Sequence, residues 1–151
     1  GVPHLRGRYQ HWRPNAGWQS EIHFSDGTLR LLGLLWAFLD GTAPLLLEEP
    51  ELSLHSAIVR HIPSLMVRAG AKAKVRRQVL VSTHSIELLS DEGIDPQEVV
   101  LLTPSEQGTV ATIAADRPEI RALLEGGATI AEAVLPLTAP IEPEQIALFG
   151  A

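Results

Sequence analysis

Two short segments hold the residues best able to do chemistry. Glu48 and Glu49 follow the aliphatic run Leu45-Leu46-Leu47 and are followed by Pro50 and Glu51. About 35 residues later, Val79-Leu80-Val81-Ser82 runs into Thr83-His84-Ser85. Adjacent carboxylates suit metal-assisted phosphoryl transfer: one holds Mg2+ through its waters, and the next orients or deprotonates the attacking water. With a histidine at the second strand end, the order and spacing suggest a nucleotide-hydrolysing site. Two other readings stand beside it. Glu48 and Glu49 can be a solvated acidic loop after a core strand. Glu51 and His55, four residues apart, can be the start of a metal cluster, although only one histidine is available there. Ser85 lacks the Gly-x-Ser-x-Gly surroundings of a nucleophilic serine.

The elements that must position these groups follow from the apolar pattern. Each aliphatic run lacks a helical period and reads as a buried strand of a parallel sheet. Ligands of open α/β sheets bind just beyond the carboxyl ends of such strands. Successive strand residues point to opposite faces, and a turn at Pro50 can bring both carboxylates to one side. A further segment, Phe24-Ser25-Asp26-Gly27-Thr28, precedes an apolar stretch to Leu39. Ser and Asp cap helix N-termini, so the pattern predicts a helix over about 26–39. Leu31, Leu32, Leu34, Leu35, Trp36 and Phe38 surround nearly its whole circumference, which predicts a buried helix. Its N-terminus offers free amides and a partial positive charge to an anion, Ser25 adds a hydroxyl, and Gly27 permits close backbone approach. A plain capped helix start is the alternative.

Elsewhere, residues 1–17 read as a loop or edge segment and 18–24 as a short strand. A helix is expected over 53–69, with Leu54, Ile58, Ile62 and Leu65 on one face and a bend or break at Pro63. Residues 44–48 and 78–82 are the two strands, and 85–90 a short helix. Strands 98–103 and 109–114 are expected to form a hairpin around Glu106-Gln107-Gly108. Helices follow over 118–125 and 129–134. The tail from Leu135 contains Pro136, Pro140 and Pro143 and reads as extended or loosely held.

With 151 residues, the chain can hold one domain with a real core. Its net charge of −6 implies no strongly charged partner, so nucleic-acid binding would need a local patch. Arg68, Lys72, Lys74, Arg76 and Arg77 are such a cluster, read as a solvated helix-to-strand connection with DNA phosphates as the alternative. Trp12 and Trp18 with Arg6, Arg8 and Arg13 read as a binding surface or as a face packed on another lobe. There is no cysteine, which excludes a disulfide framework and thiolate metal sites and fits a reducing, cytoplasmic setting. The longest apolar stretch, 29–39, is too short to span a bilayer and contains Arg30, so no membrane partner is expected. Gly1 to Arg13 lacks the apolar segment of a signal peptide. Since Gly1 is not an initiator Met, the expectation is a processed chain or a piece of something longer.

Glu48-Glu49-Pro50-Glu51-Leu52-Ser53-Leu54-His55 resembles the Walker B segment and D-loop of the ABC-type ATPases, closest to the branch that includes RecF, SMC and the OLD proteins. The resemblance implies Glu48 as the Mg2+-side carboxylate, where most of the family has Asp, and Glu49 as the catalytic one. Leu52 to His55, with Ser53 and His55 as the polar members, resemble the D-loop that meets a partner subunit. Ser25-Asp26-Gly27 stands 23 residues before Glu48 (48 − 25) and resembles the signature motif, with Asp26 where transporters carry Gly. In the family this motif reaches a nucleotide held mainly by the other subunit. His84 resembles the switch histidine that contacts the γ-phosphate. The order signature, Walker B, D-loop, switch histidine is the family order.

No Gly-x-x-x-x-Gly-Lys-Ser/Thr occurs in the chain. That loop supplies the amide cradle and lysine for the β- and γ-phosphates. The expected fold class is therefore α/β, a mostly parallel P-loop-NTPase-type sheet flanked by helices with a C-terminal β-hairpin, forming the C-terminal lobe of an ABC-type ATPase. Residues 1–24 are read as an N-terminal segment, 25–134 as the lobe and 135–151 as a tail. The resemblance implies ATP and Mg2+ as cofactors, a P-loop-bearing N-terminal lobe as partner and a homodimer built on composite ATP sites. It also implies a role in DNA maintenance, repair or defence against phage. The alternative is a non-catalytic lobe that docks on a partner and hydrolyses nothing.

Overall fold

The two aliphatic runs pair side by side. In the computed structural model, which describes residues 2–8, 17–72 and 77–139, β3 (Leu45–Glu48) runs parallel to β4 (Val79–Ser82). Leu45 stands opposite Val79 and Glu48 opposite Ser82. The chain divides into two compact units between Thr83 and His84.

The first unit opens with β1 (Arg6–Gly7) antiparallel to β2 (Gln19–Ser20). The strand expected over 18–24 ends at Ser20. A 3-10 turn follows over Glu21–His23, because the Glu21 amide bonds to the Leu5 carbonyl (3.0 Å) and the Phe24 amide to the Glu21 carbonyl (3.0 Å). Helix α1 spans Asp26–Leu39, as expected, and Gly41 turns the chain at φ 88. It is not buried all round. Leu34 and Phe38, one turn apart, form the buried stripe, while Trp36 and Leu39 are 71% and 70% exposed. The helix expected over 53–69 is two: α2 (Ser56–Val59) and α3 (Ile62–Lys72), with Pro63 second in α3. There its missing N–H falls among the amides that lack intrahelical partners anyway. Residues 50–54 form turns instead, with the Leu52 amide on the Glu49 carbonyl (3.1 Å) and the Leu54 amide on the Glu51 carbonyl (3.0 Å). Val59 and Ile62 are also buried.

Strands β3 and β4 are not buried on both faces. Their exposure alternates, leaving Leu46 74% and Leu80 48% exposed. Nor is the sheet mostly parallel. Among the described residues there are three two-stranded sheets, and only β3–β4 is parallel. The mixed helix-and-strand content agrees with an α/β fold.

The second unit begins with α4 (Ile86–Leu89). Strands β5 (Val100–Ser105) and β6 (Gly108–Ile113) form the expected hairpin, closed by Ser105 opposite Gly108 across the two-residue turn Glu106-Gln107. Helix α5 (Pro118–Glu125) starts at a proline, and α6 (Ile130–Thr138) follows a capping box of Thr129 and Glu132. Leu101, Ala114, Ile120, Ile130, Ala133 and Val134 form the core. Helix α6 runs through Leu135 to Thr138 with Pro136 inside it, where an extended tail was expected. Leu135 and Leu137 pack against the core and hold the helix past the proline. Trp12, Arg13, Lys74, Arg76, Pro140 and Pro143 lie outside the described residues. Among the described residues, no helix is long and apolar enough to cross a membrane.

The capping box yields a pH signature. The Thr129 N–H (2.8 Å) and hydroxyl (3.0 Å) both donate to the Glu132 carboxylate. The backbone bond first, then the hydroxyl, holds its carboxyl below the usual range. A depressed folded-state pKa stabilises above the unfolded carboxylate's range, and the contribution is lost as pH falls through the folded value. The stability gap between the wild type and Glu132→Gln, followed by chemical denaturation, should be largest near neutrality and shrink below about pH 4. A gap independent of pH would exclude this role for the charge.

Candidate functional site

The loop leaving β3 carries two backbone outliers. Glu49 has φ 41 and Ser53 has φ 64, and no other described non-glycine residue has a positive φ. Such conformations persist in residues with a Cβ only when surroundings over-determine them. Three contacts do so here. The Glu49 amide bonds to the Ser82 carbonyl (2.9 Å), which extends the parallel ladder one residue past Glu48. Arg30 of α1 donates through Nη2 to the Glu49 carbonyl (2.8 Å). The Thr83 hydroxyl donates to Glu51 Oε1, tying the loop to the residue that follows β4.

The first turn of α1 meets the same loop. A Cβ at Gly27 would stand 2.6 Å from the Ser53 carbonyl oxygen, closer than real Cβ contacts allow. The close approach expected of Gly27 is therefore made by the loop's own backbone. Ser25 is the N-cap of α1. Its Oγ accepts from the Thr28 amide (3.2 Å) and shares a hydrogen bond with Thr28 Oγ1 (2.9 Å). Ser25 and Asp26 are exposed at this helix end. The capped helix start considered as the ordinary reading is thus present.

Glu48 is exposed and Glu49 half-buried at the carboxyl end of β3. Pro50 behind them is buried and anchors the turn. Glu51 Oε2 is buried and has no hydrogen-bond partner among the described residues. His55 caps α2, its Nδ1 accepting from the Ala57 amide (3.1 Å). Nδ1 is thereby the unprotonated nitrogen. Glu51 is engaged by Thr83 and His55 by Ala57, and the described residues contain no cluster of three or more acidic or histidine groups able to hold a metal. His84 is exposed and opens the second unit. Ser85 caps α4, accepting from the Leu88 amide (3.2 Å) and donating to Glu87 (3.0 Å).

Away from this loop, the Arg6 and Arg8 guanidiniums lie 6.0 and 5.9 Å from the centroid of the exposed Trp18 ring. Of the basic cluster, Arg68 and Lys72 are exposed and Arg77 is half-buried.

From the sequence, Ser25 and Gly27 were expected to serve a nucleotide held by a second copy; within this chain Gly27 lies against Ser53 of the loop after β3. Sequence reasoning missed Arg30 and the Glu51–Thr83 bond. Arg30 had a signal: it is the only charged residue between Gly27 and Leu39. Glu51 had none beyond being a third carboxylate.

The chain belongs to the family described as "AAA domain, putative AbiEii toxin, Type IV TA system", whose profile matches residues 3–90, more than half of the chain. This is an ATPase-type, P-loop fold family, and the matched span contains every candidate residue from Ser25 to His84. No curated protein matches the chain.

The Gly27–Ser53 approach can be tested against a neighbour on the same helix. Nothing lies within 4 Å of a Cβ at Gly33. Gly33→Ala should stabilise by about 0.5–1 kcal/mol, the usual helix-interior gain. Gly27→Ala should do the reverse, costing about 1–3 kcal/mol through overpacking against a backbone atom. Denaturation midpoints of both variants decide it; equal gains would mean that α1 does not press on Ser53.

Proposed function

We propose that this chain is the C-terminal lobe of an ABC-type ATPase of the RecF, SMC and OLD-like branch. Combined with a P-loop-bearing lobe, it hydrolyses ATP to ADP and phosphate. The observation that carries this reading is the end of β3, where Glu48 and Glu49 stand at the carboxyl end of a parallel strand with the Glu49 amide still bonded to β4. Such strand ends are where α/β sheets bind their ligands. The membership of an ATPase-type family supports it further.

In this reading Glu49 orients and deprotonates the attacking water, and His84 contacts the γ-phosphate. Glu48 would hold Mg2+ through water. Bound Mg2+ supplies charge neutralisation of the phosphates. Ser25, Asp26 and Gly27 serve a nucleotide held mainly by a second copy, with Ser53 and His55 at the same interface. The setting is DNA maintenance, repair or defence against phage, to which the family's description adds a toxin. The cell compartment is the cytoplasm.

In the complete, P-loop-bearing protein, Glu49→Gln should keep ATP binding and lose about 10²–10⁴-fold in turnover, the usual scale of a general base. ATP affinity and single-turnover hydrolysis measured side by side test this. Turnover at the wild-type rate would leave the acidic strand end a solvated loop.

The composite site has its own test. Ser25→Arg should leave monomer ATP affinity nearly unchanged and block ATP-driven dimerisation, since the larger side chain fills the place of the phosphate contact. Mixed with a variant lacking the P-loop lysine, it should regain about one competent site per heterodimer. Size measurements with and without ATP read the first effect and turnover of the mixture the second. Normal dimerisation by Ser25→Arg would reduce Ser25 to a helix cap.

A further inference from the structure

Glu49 sits in a backbone conformation that its side chain disfavours, so something must hold it there. On its N-terminal side the holding contact belongs to the sheet: the Glu49 amide bonds to the Ser82 carbonyl at 2.9 Å. On its C-terminal side the carbonyl accepts twice, from the Leu52 amide at 3.1 Å and from Arg30 Nη2 at 2.8 Å. The Leu52 bond is internal to the loop and moves with it. Arg30 is different. It reaches in from α1, a separate element nineteen residues earlier in the chain, and its bond to the carbonyl is charge-assisted. One turn before Arg30, Gly27 presses on the Ser53 carbonyl, which fixes α1 against the far end of the same loop.

We infer that Arg30 is a positioning residue for Glu49, locking the left-handed backbone that sets the direction of the Glu49 carboxylate. The inference rests on the reading of Glu49 as the group that activates water. Arg30 is itself exposed, so its main effect falls on the loop and not on the core. The guanidinium is a rigid fork of donors, whereas a lysine in its place keeps the charge but offers a mobile point donor. A misplacement of about 1 Å at a reacting group can cost about 10²-fold in rate.

The test uses the complete, P-loop-bearing protein with MgATP, with folding of each variant followed by circular dichroism. Arg30→Met should lower kcat by about 10–100-fold with KM little changed, because the damage falls on a group used in the chemical step. Arg30→Lys should recover part of the loss. Arg30→Met combined with Glu49→Gln should be no slower than Glu49→Gln alone, since a residue acting through Glu49 has nothing left to position. A wild-type kcat for Arg30→Met, alongside a dead Glu49→Gln, overturns the inference and leaves the function reading intact. A raised KM at constant kcat also overturns it, making Arg30 a nucleotide contact. An active Glu49→Gln overturns the function reading instead. Should Arg30→Met lose its fold, Arg30→Lys decides alone: a wild-type kcat overturns the inference, and a reduced kcat at constant KM supports it.

Discussion

The parallel pairing of β3 with β4 is the constraint on which the rest of the candidate site depends. Four aligned residue pairs and the extra bond from the Glu49 amide to Ser82 bring the exits of the two strands together. Only because of that register does Thr83 reach Glu51, thirty-two residues away in sequence. A slip by one residue would reverse the faces of every side chain on the strand and carry Glu48 to the opposite side. Local order at Glu49 and Glu51 is thus a consequence of non-local pairing.

Helix α1 acts on the same loop from another direction. Its N-terminus is closed by the Ser25 cap, its first turn lies against Ser53, and its next turn sends Arg30 to Glu49. The loop between β3 and α2 is therefore gripped at both ends and at its middle, by α1 and by Thr83. That grip is the physical counterpart of the two positive φ values. A seven-residue connection (49–55) with no regular structure of its own keeps two disfavoured backbones because its neighbours leave no alternative.

The apolar surface of the first unit is also informative. Leu46 and Leu80 face out from the same parallel pair, and Trp36 and Leu39 face out from α1. A parallel pair ordinarily has both faces covered. The aliphatic runs of β3 and β4 are written as though for strands buried on both sides, yet here their exposure alternates.

Much was legible in the amino-acid sequence by itself. The bounds of α1 followed from Ser25 as cap and Asp40-Gly41 as stop, because capping is chemistry between near neighbours. The hairpin and its turn, the two aliphatic strands, the break near Pro63 and the acidic strand end were legible for the same reason. What failed depended on distant contacts. Helix α6 passes Pro136 because Leu135 and Leu137 have a core to pack on, and propensity at the proline gives no sign of that core. The segment after Ser20 curls into a 3-10 turn because Leu5 offers a carbonyl to Glu21. The uniform apolarity of α1 could not tell which stripe turns inward. Residue types and order therefore determined which groups could do chemistry and roughly where each element lies. Only the tertiary structure decided that Arg30 grips Glu49, that Thr83 grips Glu51 and that Gly27 is needed against Ser53, because each contact joins elements whose separation in sequence carries no record of their distance in space.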